Sequence, residues 1–210
     1  MDLLHRYMRQ IINTLEQLPQ PPLQRIATAL WETYQRDGTM IVCGNGGSAA
    51  TASHFACDLA KWTINREARR VRALTLTDNT ALLTAWSNDQ GYDDAFVEQL
   101  RGLYRPGDLL FAISGSGKSP NVLRAVEWAN EVGAPTVGIS GFDGGQLARI
   151  ATISLCVDNH LMPQVEDIHS TLCHALAVNL GKQIEESLRP QVAISAAGML
   201  LEHAVGGGGA

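Results

Sequence analysis

LLFAISGSGKSPNVLRA, Leu109 to Ala125, passes from an unbroken apolar run through a loop of glycine and serine into a segment with helical spacing. A short apolar run ended by small residues reads as a strand buried on both faces, and Pro120 after Ser119 reads as the first residue of a helix. The loop carries Gly117-Lys118-Ser119, but a nucleotide P-loop, G-x-x-x-x-G-K-[ST], needs glycine at 112, where Ala112 stands within the strand. What remains is a set of hydroxyls, Ser114, Ser116 and Ser119, together with Gly115, the cation Lys118 and the positive end of a helix dipole. That set suits a phosphate monoester. The plainer alternative is a serine-rich turn in which Ser119 only caps the helix.

The same alternation extends in both directions. TMIVCG, VRALTLTD, DLLFAIS, PTVGIS and TISLCVD are short apolar runs separated by helical segments, which predicts an α/β fold with a parallel, doubly wound five-stranded sheet. Ligands of such sheets sit beyond the carboxyl ends of the strands, so the loops after the strands are the ones to read for function. Leu3, Leu4, Tyr7, Met8, Ile11, Ile12 and Leu15 are spaced as a helix, PQPP at Pro19 to Pro22 interrupts it, and a second helix follows to about Arg36. A last helix is expected from about Val165 to Leu188, ended by Pro190. The expected organisation is one domain over residues 1–190, with a helical arm at about 1–37 and a flexible tail over 191–210.

Composition narrows the function. Apolar residues make up 45% and charged residues 18% of the 210-residue chain, as in a folded globular domain. A net charge of −5 and the lack of any long basic run argue against a nucleic-acid partner. The longest apolar runs are far short of a membrane span and the N-terminus lacks signal-peptide order, so no membrane partner and a cytoplasmic location are expected. Cys43, Cys57, Cys156 and Cys173 show no C-x-x-C spacing and read as buried thiols.

The loop after the first strand, GNGGSA from Gly44 to Ala49, satisfies the dinucleotide pattern G-x-G-x-x-[GA]. Its acidic counterpart, Asp78 at the end of the next strand, comes 32 residues after Gly46, farther than the tight unit of that fold requires. Asn45 and Ser48 add side-chain hydrogen bonding to the turn, as a polyhydroxylated ligand would use. On the helix that follows, His54 and Asp58 are four residues apart and share a face, a pair fit for acid–base work or metal binding. Glu166, Asp167, His169 and His174 crowd the start of the last helix. On one continuous helix Glu166 and His174 are about 12 Å apart, too far to share one metal. Either the helix starts after Glu166 or a neighbouring subunit supplies one of the two. His169 reads as a core histidine.

With GNGGSAA and HFACDL, LTAWSNDQGYDDAF, RPGDLLFAISGSGKSPNVLRA, GFDGGQLA and EDIHSTLCHAL taken together, the chain resembles the sugar isomerase (SIS) domain family, and within it the phosphoheptose isomerases, over roughly residues 1–188. The resemblance implies a flavodoxin-like fold, a homotetramer with active sites between subunits, and a sugar-phosphate substrate. It implies substrate contacts from Asn45, Gly46, Gly47, Ser48, Asn88, Asp89, Ser114, Gly115, Ser116, Lys118, Ser119 and Glu166. It also implies one zinc or other divalent metal per site, held by His54, Asp58, Glu166 and His174, with Asp58 and His174 as the proton-transfer pair. Asp58 stands where the family usually has Glu, Glu166 where it has Gln, Gly115 where it has Thr and Lys118 where it has Asn. The expected reaction is conversion of sedoheptulose 7-phosphate to an aldoheptose 7-phosphate through an enediol. The alternatives within the family are a non-catalytic tetramer that binds a replication-initiator protein, a sugar-phosphate sensor, and a lyase acting on an amino-sugar ether.

Overall fold

The computed structural model describes residues 2–205, with side chains described as far as Arg189. Two helices, α1 (Leu3–Glu16) and α2 (Gln20–Gln35), precede β1 (Thr39–Gly44), α3 (Gly47–Lys61) and β2 (Arg72–Thr75). Then come α4 (Thr80–Asp89), a 3-10 turn at Tyr92–Asp94, α5 (Ala95–Leu103), β3 (Leu109–Ser114), α6 (Pro120–Glu131), β4 (Thr136–Gly141), α7 (Leu147–Ile150), β5 (Ile153–Val157) and α8 (Met162–Val205). All strand pairs are parallel, in the order β2-β1-β3-β4-β5, as the apolar runs predict.

Each central strand is buried along its whole length and feeds two cores. Met40 and Val42, with Leu109, Phe111 and Ile113, pack against α2, α3 and α8. Their sequence neighbours Ile41 and Cys43, with Leu110 and Ala112, pack against α5 and α6. This is the strand period of two read out as two layers. The Phe111 ring, with its centroid 4.9 Å from that of Phe55, anchors α3 to the sheet, and burial of a ring of this size contributes about 2–3 kcal/mol. Burial also holds the Cys43 thiol up at about 12, which leaves it inert. Cys57 is exposed and Cys156 half-buried, so only Cys43 and Cys173 are buried thiols.

Two elements differ from the sequence expectation. β2 ends at Thr75 instead of Asp78, because the Thr75 hydroxyl accepts the Thr77 N–H at 3.0 Å and takes it out of the ladder. α8 starts at Met162 and runs past Pro190 to Val205. Its start is set by Asn159, whose side chain accepts the Leu161 N–H at 2.9 Å and turns the chain into the helix. Pro190 removes one helical N–H donor without ending the helix, so this proline does not mark the stop that its residue type suggests. Gly206 to Gly209, at the end of the expected tail, lie outside the described residues.

Candidate active site

In this strand order the chain leaves β1 toward β2 on one side and β3 toward β4 on the other, so a crevice opens beyond the carboxyl ends of β1 and β3. The loop after β1 is the GNGGSA turn and the loop after β3 is the serine loop, so the topology puts both at this crevice. In the serine loop, Gly117 N–H donates to the Ser114 carbonyl at 2.9 Å and Lys118 N–H to the Ser116 hydroxyl at 3.2 Å. Ser119 occupies the N-cap of α6 without a capping bond, and its hydroxyl instead lies 3.2 Å from that of Ser114. The capping alternative therefore fails. The Ser114 and Ser119 hydroxyls meet at the N-terminal, positive end of α6, where an anion would be stabilised. Lys118 stands exposed at the rim, 3.2 Å from Asp143, and its ammonium holds the Asp143 carboxyl below the usual carboxylate range.

The first turns of α8 close over both loops. A Cβ at Gly115 would meet Met162 Sδ at 2.5 Å, and one at Gly47 would run into the Glu166 carboxylate. An added Cβ at either position would displace the end of an α8 side chain. Glu166 thus sits at the N-terminal, positive end of α3, where a carboxylate is favoured.

Two turns farther along the same helices, His54, Asp58 and His174 come together. His54 Nε2 is 3.7 Å from Asp58 Oδ1, His174 Nε2 is 3.5 Å from Asp58 Oδ2, and the imidazole centroids are 4.8 Å apart, edge to face. A tetrahedral metal with ligand bonds of about 2.1 Å spaces its ligand atoms about 3.4 Å apart. The donor atoms of the three residues all lie within 4.8 Å of one another, so modest side-chain rotations suffice to meet one ion. The donor set of two imidazoles and a carboxylate suits zinc, and three protein ligands leave a fourth position open. Beside the triad is a recess of about 300 Å³ walled by Trp62, Ala177 and Val178. Glu166 does not join this group. α8 is continuous from Met162, which puts Glu166 two turns from His174 and removes the possibility that the helix begins after Glu166.

Of the remaining expected contacts, Asn45 is half-buried and Ser48 buried at the head of α3. Asn88 and Asp89 are exposed at the end of α4, with Asn88 Nδ2 donating to Asp89 Oδ1 at 2.9 Å. His169 is a core residue as expected: its Nε2 pairs with the Ser140 carbonyl at 3.1 Å, and burial lowers its pKa to about 4. Sequence reasoning missed Tyr92 and Asn121, which bond the Asn45 amide from the 3-10 turn and from α6. No local pattern marks them, because Asn121 lies 76 positions from its partner.

The SIS domain family model matches residues 5–141, which run from α1 to the end of β4 in the parallel sheet. The chain belongs to this family, and its relatives within it are the phosphoheptose isomerases. It is 40% identical to the phosphoheptose isomerase of Roseiflexus sp. over 74% of this chain and 79% of that one. It is 32% identical to that of Crocosphaera subtropica over 91% of this chain and 100% of the relative. The structure of phosphoheptose isomerase from Neisseria gonorrhoeae superposes with a TM-score of 0.79 at 32% identity, covering 85% of this chain and 97% of that one.

Proposed function

We propose that the protein is an aldose–ketose isomerase that converts D-sedoheptulose 7-phosphate to D-glycero-D-manno-heptose 7-phosphate. The observation that carries the reading is the Asp58 carboxylate held between the imidazoles of His54 and His174. The serine loop grips the 7-phosphate through Ser114, Ser116 and Ser119, with Lys118 adding charge from the rim. Asn45 and Ser48 orient the sugar hydroxyls, Glu166 lies over the Gly47 turn, and Asn88 and Asp89 complete the rim.

Asp58 is the base that removes the proton next to the carbonyl, giving an enediol, and the proton returns to the adjacent carbon. His174 moves the proton between the two sugar oxygens. Asp58 is buried enough to be shielded and open enough to reach substrate, its side chain being 24% exposed. His54, Asp58 and His174 would hold a divalent metal, zinc by the softness of the donor set, with Glu166 as a fourth ligand only if it came from a neighbouring subunit. Such an ion supplies electrophilic polarisation of the sugar oxygens.

The reading extends to a cytoplasmic homotetramer with active sites between subunits. Retention of both Asp58 and His174 disfavours a non-catalytic tetramer, since a pure binding role needs neither group. Among the described residues no helix is long and apolar enough to cross a membrane. The test is direct: purified protein is incubated with sedoheptulose 7-phosphate and the aldoheptose 7-phosphate is measured by chromatography. Formation of the aldose that is lost in Asp58→Asn supports the reading, and unchanged turnover in that variant overturns the base assignment.

A further inference from the structure

Asn121 opens α6 directly after the serine loop and is buried, with 1% of its surface exposed. Its orientation is fixed without ambiguity. The Val122 backbone N–H bonds Asn121 Oδ1 at 2.9 Å, and only an oxygen can accept it, so Asn121 Nδ2 is the group on the other branch. Across the crevice the two asparagines form a closed pair: Asn45 Nδ2 donates to Asn121 Oδ1 at 2.8 Å and Asn121 Nδ2 donates to Asn45 Oδ1 at 3.0 Å. Tyr92 from the 3-10 turn then donates its hydroxyl to the same Asn45 Oδ1 at 2.7 Å.

The donor and acceptor count settles what Asn45 has left. An amide oxygen accepts two bonds and an amide nitrogen donates two. Asn45 Oδ1 is saturated by Asn121 and Tyr92, and one Nδ2 hydrogen is spent on Asn121. A single Nδ2–H remains.

We propose that Asn121, assisted by Tyr92, is a positioning residue that locks the Asn45 amide as a one-hydrogen donor toward an oxygen of the sugar phosphate. The pair also ties the GNGGSA turn to the head of α6, so the two ligand loops hold one spacing. Asn45 then rewards an oxygen acceptor and offers nothing to a ligand group that needs an acceptor in return. This proposal rests on the isomerase reading for the identity of the ligand, and one readout below is independent of it.

The decisive substitution is Asn121→Asp. It keeps the oxygen that receives Val122 N–H and Asn45 Nδ2–H and replaces the donor facing Asn45 Oδ1 with a second oxygen. With sedoheptulose 7-phosphate as the probe, KM should rise roughly tenfold, the loss of about one hydrogen bond, while kcat changes little. The same substitution made in Asn45→Ala should add no further rise. An equal rise in that background, or no rise in the wild-type background, overturns the proposal. Should Asn121→Asp fail to fold, Tyr92→Phe, which deletes one exposed hydroxyl, carries the test: a rise of about threefold that vanishes in Asn45→Ala is expected, and no change overturns it. Independently of any reaction, the Asn45 side-chain amide in the NMR spectrum, assigned by its disappearance in Asn45→Ala, should show one slowly and one rapidly exchanging hydrogen. Two equally fast hydrogens would refute the pairing whichever sugar the protein turns over.

Discussion

Replacement of Gly117 by alanine probes the shape of the serine loop at its tightest point. Gly117 has φ of +63°, and a Cβ there would lie 2.7 Å from the Gly144 carbonyl carbon and 3.1 Å from the Gly145 nitrogen. Both neighbours are backbone and cannot rotate away. The left-handed conformation costs alanine about 1–2 kcal/mol. Relief of the overlap requires the loop after β4 to move, at a further cost of about 1–3 kcal/mol. The movement also stretches the bond from Leu147 N–H to the Gly117 carbonyl, now 3.0 Å. The expected loss is therefore about 2–5 kcal/mol in urea-induced unfolding. In the folded fraction the hydroxyls of Ser116 and Ser119 are displaced, and KM for the sugar phosphate should rise by one to two orders of magnitude. Gly102→Ala is the control: Gly102 lies in α5 with nothing within 4 Å of its Cβ position, and alanine there should be neutral or stabilising by about 0.5–1 kcal/mol. A Gly117→Ala protein as stable as wild type, with unchanged KM, would refute the packing argument.

Ser116→Ala should raise KM by roughly tenfold and leave kcat nearly unchanged, as measured by steady-state kinetics; an unchanged KM would remove Ser116 from the phosphate site. For the triad, zinc added to chelator-treated protein at about 100 times its dissociation constant should stabilise the fold by about 2.7 kcal/mol, read as a rise in Tm. His54→Ala should abolish that rise, and an equal rise in the variant would remove His54 from the ligand set. His169 makes the fold acid-sensitive. An unfolded chain protonates this imidazole below about pH 6.5, whereas the buried one protonates only below about 4. The unfolded state thus binds more protons in that window, and stability is complete above it and falls as pH drops through it, by up to about 3 kcal/mol. Denaturation at pH 7 and pH 4.5 should show this slope in the wild type and lose part of it in His169→Gln.

The central strands were legible because each is buried on both faces, so apolar runs such as Leu109–Ile113 stand out against their flanks without any alternation. His54 and Asp58 were legible as a pair because their proximity is a local property of helix spacing. His174 was legible only by resemblance, since its place beside Asp58 depends on how α8 packs on α3. Glu166 shows the cost of that: it shares a helix with His174 and a plausible donor group, yet the rise of the helix carries it to the Gly47 turn. Tyr92 and Asn121 were illegible because an amide pair across the crevice leaves no periodic trace in the sequence. Pro190 misled in the other direction, since a proline signals a helix end only as a tendency.

The claim that most needs testing is that Asp58 drives isomerisation through an exchangeable enediol. Proton NMR of the protein with sedoheptulose 7-phosphate in deuterated buffer, beside Asp58→Asn under the same conditions, tests it in one experiment. The account predicts an aldoheptose phosphate bearing deuterium at carbon 2 from the wild type and unreacted ketose from the variant. Unreacted substrate with both proteins, or equal product from both, would contradict it.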